Sequence, residues 1–176
     1  MDFTVVCPTE IVQFADKARQ FRENGCEVLA CSTDSQFSHM EYCKKERKAG
    51  GIGKVDIPLI SDMSHTIAWS YGCLITKGPN SGTALRATYI IDPKGIVRHI
   101  SINDLTVGRC PEEILRLVKA FQMTDKNGEV CPASWNTTMP TLNPQTDNVK
   151  TTEYFEKVMA KPTTSTTTRP WPHSII

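Results

Sequence analysis

"DFTVVCPTE", residues 2–10, sets one cysteine, Cys7, between an extended apolar run and a proline where a helix can open. Pro8 has no N–H to lose in a first helical turn. Ile11, Phe14, Ala15, Ala18 and Phe21 then recur at helical spacing until Gly25 ends the run. Cys7 therefore falls at a strand-to-helix junction. Unpaired backbone N–H groups and the positive end of the helix dipole favour an anion there, and a thiol so placed can have its pKa lowered from ~8.5 to ~3.5–7.5. The residues alone leave two readings open: a small buried hydrophobe, as most reduced cysteines are, or a nucleophilic thiolate.

Outward from this junction, strand and helix patterns alternate. "EVLACSTD", 27–34, reads as a short buried strand, with Ser32, Thr33 and Asp34 offering turn or cap chemistry before a helix over 37–46. Gly50, Gly51 and Gly53 make the next loop permissive. A brief helix over 65–71 stops at Gly72, and an irregular loop, "KGPNSG", leads to the strand "RATYIID", 86–92. "DPKG" is a turn signal, so 96–102 is expected to return antiparallel. Ile114, Leu115, Val118 and Phe121 mark an amphipathic helix over 111–124. Beyond Gly128 come "GEVCPASW", a loop rich in Thr, Asn and Pro, and a helical candidate over 151–161 stopped by Pro162. The low-complexity stretch 162–176 is expected to be disordered. Alternation of this kind predicts an α/β layer fold with a mixed sheet.

Composition narrows the function classes. A chain of 176 residues, 39% hydrophobic and 22% charged, describes one soluble domain rather than two. Twenty basic against nineteen acidic residues, net charge +1, point to neither nucleic acid nor an anionic membrane as partner. The basic run 44–48 reads as a solvated helix face. No stretch approaches the ~18 apolar residues of a membrane span, and residues 1–20 lack the pattern of a signal peptide, so a cytoplasmic location is expected. The seven cysteines, at 7, 26, 31, 43, 73, 110 and 131, are odd in number and irregularly spaced, which favours thiols over a disulfide framework. With no C-x-x-C pair and four scattered histidines, neither metal nor cofactor is expected.

The nine residues around Cys7 closely resemble the active-site segment of typical 2-Cys peroxiredoxins. "GCEVLACSTDSQFSH" (25–39), "GGIG" (50–53), "ALRATYIIDPKGIVRHISINDLTVGR" (84–109), "GEVCP" (128–132) and Tyr154-Phe155 are similar to further family segments in the same order. The resemblance implies a thioredoxin-like three-layer fold of peroxiredoxin type with a mixed central sheet. It also implies that the family's N-terminal strands, including the one leading into the active site, are missing ahead of Met1, so that residues 1–176 alone are expected to fold poorly. The implied divisions are a peroxiredoxin domain over 1–127, a resolving-cysteine arm over 128–161 and the tail 162–176.

The same resemblance implies a thiol peroxidase that reduces hydrogen peroxide and organic hydroperoxides. Cys7 matches the peroxidatic cysteine, whose thiolate attacks peroxide and becomes a sulfenic acid. Thr4 and Arg86 match the activating residues, and Glu10 and Arg109 a pair that orients the arginine. Read without the resemblance, each of these four is a routine cap or surface charge. Cys131 matches the resolving cysteine, supplied by a partner subunit, and the resulting disulfide is reduced by thioredoxin. A homodimer, assembled in some members into a decamer, is implied. Gly50, Gly51 and Gly53 with Tyr154 and Phe155 resemble the paired motifs of members that overoxidise readily. The alternatives are a holdase chaperone or redox-signalling scaffold, and a catalytically impaired truncated paralogue.

Overall fold

The computed structural model describes residues 1–159, so the expectations for the tail 162–176 and the end of the candidate helix 151–161 lie outside the described residues. Two compact units divide the chain, one over residues 1–122 and one from Met123 onward.

In the first unit, α1 (Cys7–Asp16) opens with Pro8 in its first turn, and a break at Lys17 separates it from α2 (Ala18–Glu23). One helical pattern thus becomes two helices on one apolar stripe. Gly25, at φ +62°, ends it in the left-handed conformation that glycine adopts without steric cost. Strand β1 (Ala30–Ser32) is shorter than the apolar run suggests, and α3 (Gln36–Lys44) follows. Its cap is Ser35, whose hydroxyl accepts from Ser38 N at 3.1 Å, rather than Ser32, Thr33 or Asp34. Ser32 and Asp34 bond to each other instead, Oγ to Oδ2 at 2.7 Å. Then come β2 (Leu59–Ser61), α4 (Thr66–Ser70), β3 (Arg86–Ile91), β4 (Val97–Asn103) and α5 (Pro111–Asn127). The sequence gives no warning of β2, because three residues after Pro58 are too few to show a period.

The strands form two ladders. β1 and β2 run parallel, with Cys31 opposite Ile60, while β3 and β4 run antiparallel with a bulge between Ile90 and Ile91. Parallel and antiparallel pairing are both present, as expected, but among the described residues as two two-stranded sheets rather than one continuous sheet. The core joins α2 to α5: Phe21 packs with Ile114, Leu115 and Val118, flanked by Phe14, Val28 and Ile90. Each such side chain contributes about 1.5–3 kcal/mol on burial. Ile90 of β3 packs against this cluster, and the first residues of α1 and β3, Cys7 and Arg86, meet.

Among the described residues of the second unit, Val130 pairs with Leu142 in an isolated antiparallel bridge. Trp135 is buried between them in sequence, and its indole N–H donates to Met139 O at 3.1 Å. Helix α6 (Val149–Tyr154) is capped by Asn148 and continues into a π-helical turn, Phe155–Met159.

Candidate active site

The site grows from the first turn of α1. Cys7 is its first residue, and Glu10, one turn on, lies on the same face. Arg86 opens β3 and is almost wholly buried, at 8% exposure. Its Nε donates to Leu105 O at 2.7 Å, and its Nη1 donates to Glu10 Oε2 at 2.7 Å and to Cys7 Sγ at 3.5 Å. Glu10, 3% exposed, holds a second guanidinium with its other oxygen: Oε1 accepts from Arg109 N at 2.8 Å and Nε at 2.9 Å. Arg109 Nη1 then reaches back to Ala87 O at 2.6 Å, tying the cluster to β3. One carboxylate thus fixes two arginines, and Arg86 reaches carboxylate and sulfur through the same Nη1.

The electrostatics follow from this arrangement. Burial works to raise the Cys7 thiol pKa, but the Thr4 hydroxyl, the Met1 ammonium 3.2 Å from Sγ and the Arg86 guanidinium together hold it below the ordinary thiol value. The Thr4 hydroxyl also faces Met1 O at 2.8 Å, and its single O–H serves one acceptor at a time. Burial likewise works to raise Glu10, yet hydrogen bonds and charge from Arg109, then the charge of Arg86, hold its carboxyl below the usual range. For Arg86, burial opposes the charged form, and the contacts to Cys7 and Glu10 outweigh it. A fixed planar cation beside a depressed thiol is suited to hold a thiolate and to stabilise charge moving onto a departing oxygen.

Thr4, Cys7, Glu10, Arg86 and Arg109 are therefore brought together. Cys131, Tyr154 and Phe155 belong to the second unit. There Cys131 is half-buried directly after the bridge residue Val130, and the Tyr154 and Phe155 rings meet edge-on at 6.2 Å. The glycine loop belongs to the first unit. Gly50 is left-handed at φ +80°, Gly51 lies so close to the Lys45 carbonyl that no Cβ fits, and Gly53 N donates to Lys45 O at 3.0 Å. Arg47 locks the loop by donating to Ile52 O at 3.2 Å while gripping Asp16, at the end of α1, with both terminal nitrogens.

A further set of contacts escapes the sequence reading. His39 Nδ1 meets Asp2 Oδ2 at 2.8 Å, Asp2 N donates to Asp34 Oδ2 at 2.9 Å, and Phe3 packs on Tyr42 with ring centroids 4.9 Å apart. Phe3 itself is left-handed, φ 56°, an uncommon state for a residue with a side chain. His39 and Tyr42, three apart on α3, show helical spacing in the sequence. Nothing in that spacing says they grip residues 2 and 3. Tyr42 is fully buried, yet its hydroxyl has no hydrogen-bond partner among the described residues, a state costing about 1–3 kcal/mol. Among the described residues no group of three or more His, Cys, Asp or Glu is placed to hold a metal ion.

Residues 1–100 match the model of the AhpC/TSA family, and residues 120–167 match that of the C-terminal domain of 1-Cys peroxiredoxin. The chain belongs to the AhpC/TSA family. It is 52% identical over 158 residues to the mouse mitochondrial thioredoxin-dependent peroxide reductase, covering 90% of this chain and 60% of that protein; the human protein matches to the same extent. It is 50% identical to peroxiredoxin-2 of Cricetulus griseus, covering 89% of this chain and 77% of the relative. Among solved structures, reduced 2-Cys peroxiredoxin of Plasmodium vivax superposes with TM-score 0.82 at 37% identity, over 89% of this chain and 78% of that one. The peroxiredoxin type of thioredoxin-like fold is thereby established. The chain spans about three fifths of the length of the mitochondrial relatives it matches, 60% in each case.

These relatives also correct the expectation of a cytoplasmic location, because the proteins matched at 52% identity are mitochondrial. That expectation leaned on the absence of a span and a signal peptide. Neither feature reports on which compartment a chain reaches by another route.

Proposed function

We propose that this chain is a thioredoxin-dependent thiol peroxidase. The observation that carries the reading is the contact of Arg86 Nη1 with Cys7 Sγ at 3.5 Å, with Arg86 itself fixed by buried Glu10. The Cys7 thiolate attacks one peroxide oxygen, an S–O bond forms as the O–O bond breaks, and the leaving oxygen takes a proton to depart as water or alcohol. Thr4 and Arg86 donate to the reacting atoms. Glu10 and Arg109 position Arg86.

Cys131 of a second copy then condenses with the Cys7 sulfenic acid, releasing water and forming a disulfide that a thioredoxin dithiol reduces. A homodimer is thus the working unit, and assembly into a decamer is compatible with it. Residues 1–127 form the catalytic domain and 128–161 the resolving arm in this reading. The glycine loop at 50, 51 and 53 and the Tyr154-Phe155 pair slow resolution and so favour overoxidation. Support comes from the named relatives, which are called thioredoxin-dependent peroxide reductases, and from the clustering of Thr4, Cys7, Glu10, Arg86 and Arg109.

The test is peroxide consumption in the presence of thioredoxin and its reductase. Cys7→Ser is expected to abolish it, and Cys131→Ser to allow one oxidation event per chain and no recycling. Normal turnover by both variants would contradict the reading.

A further inference from the structure

His39 is buried on α3 and has no part in the peroxidase chemistry, yet its ring joins that helix to Asp2 and to β2. Nδ1 lies 2.8 Å from Asp2 Oδ2, and Nε2 lies 3.3 Å from Ile60 O. A carboxylate only accepts, so Nδ1 carries the proton of the first bond. Asp2 is held a second time through its backbone, whose N–H donates to Asp34 Oδ2 at 2.9 Å. Asp34 is fixed in turn: its carboxylate accepts from Ser32 Oγ and its carbonyl from Ser61 Oγ, each at 2.7 Å. The next residue, Phe3, is left-handed at φ 56°, a state that a bulky residue keeps only where its neighbours over-determine it. On one side stands the clamped Asp2. On the other is Tyr42, one turn along α3 from His39, whose ring centroid lies 4.9 Å from that of Phe3. Thr4 follows directly, and its hydroxyl is among the groups that hold the Cys7 thiol low.

We infer that His39 is a positioning residue of this site: its bond to Asp2 keeps Phe3 in the left-handed turn and so sets the Thr4 hydroxyl beside the Cys7 sulfur. Without that bond Asp2 keeps only its backbone contact, Phe3 turns to an ordinary φ, and Thr4 leaves the sulfur, while Arg86 stays in place on Glu10 and Leu105 O. His39 acts through Thr4 and touches no reacting atom. The inference rests on the peroxidase reading for what Thr4 does there.

The experiment is a double-mutant cycle in the full chain. His39→Leu removes the donor at similar bulk, His39→Asn returns an N–H near the place of Nδ1, and Thr4→Val removes the hydroxyl through which His39 acts. Two quantities are read for each variant: the second-order rate of Cys7 oxidation by hydrogen peroxide in a single turnover, and the pH profile of Cys7 alkylation by iodoacetamide. His39→Leu is expected to slow oxidation roughly 3- to 10-fold, the worth of one neutral hydrogen bond, and to move the alkylation profile to higher pH. His39→Asn should stay within about 2-fold of wild type, and His39→Leu added to Thr4→Val should slow oxidation by less than about 2-fold more. Asp2→Asn keeps the shape of the same bond and removes its charge; it should show a smaller fall, again absent in the Thr4→Val background, and gives the reading if His39→Leu does not fold. An equal fall in both backgrounds, no fall in either, or a His39→Asn variant as slow as His39→Leu would each overturn the inference while leaving the peroxidase reading intact. Wild-type Cys7 that reacts with peroxide no faster than an unactivated thiol would instead defeat that reading, and this inference with it.

Discussion

At the scale of single residues, Glu10 carries as much of the site as Cys7. It is the one carboxylate between two guanidiniums, and Arg86 reaches the sulfur only as far as Glu10 lets it. Removing one partner of a buried ion pair strands the other, at about 3–5 kcal/mol, so Glu10→Gln is expected to destabilise the chain by that order and to weaken the hold on Arg86. The sign of the pH dependence follows from the Glu10 carboxyl lying below its usual range in the folded chain. Its stabilisation is complete above the unfolded carboxyl pKa of ~4.3 and is lost as pH falls through the lower folded value. Denaturant unfolding between about pH 3 and pH 7 should therefore give wild type a steeper acid-side loss of stability than Glu10→Gln; equal slopes would mean the carboxylate is not so held. Arg86→Gln should slow peroxide oxidation about 10²–10³-fold, the usual cost of one donor to a developing anion, and move the Cys7 alkylation profile to higher pH. An unshifted profile would separate Arg86 from the thiolate.

At the scale of elements, the glycine loop shows what kind of constraint a sequence can and cannot announce. A Cβ on Gly51 would collide with the backbone carbonyl of Lys45, which cannot swing aside as a side chain can. Gly51→Ala is expected to cost about 1–3 kcal/mol, read as a Tm lowered by several degrees, and to loosen Ile52 from Tyr42. An unaltered Tm would show that the loop relaxes freely. Helices α1, α2 and α5 were legible because their apolar residues recur at 3.6-residue spacing, and the hairpin because "DPKG" marks its turn. The break at Lys17 was not legible, since the apolar stripe runs across it, nor was β2, which is too short for a period. The site divides in the same way. Cys7 could be suspected from Pro8 alone, whereas Glu10 reads as a routine first-turn charge, Arg86 and Arg109 are distant in sequence, and a resemblance rather than any local pattern drew them together. His39 stayed hidden because one histidine on a helix face shows no partner until the fold brings Asp2 to it.

At the scale of the whole molecule, the proposal that Cys131 of a second copy resolves Cys7 has a direct readout. Oxidation of wild type by one equivalent of peroxide should yield a covalent dimer on non-reducing electrophoresis, lost with either Cys7→Ser or Cys131→Ser and reversed by thioredoxin. A covalent dimer persisting in Cys131→Ser would assign resolution to another thiol. The central claim is that one thiol of seven is activated, and the chain contains its own controls in Cys26, Cys31, Cys43, Cys73 and Cys110. Burial raises the thiol pKa of Cys26, Cys31 and Cys43, whereas that of Cys7 is held low. The most direct measurement is therefore competition within one molecule: Cys131→Ser protein, less than one equivalent of hydrogen peroxide, a sulfenic-acid trap, and mass spectrometry of every cysteine peptide. The account predicts the trapped adduct almost wholly on Cys7; an adduct spread evenly over the remaining thiols, or concentrated on one of the others, would contradict it.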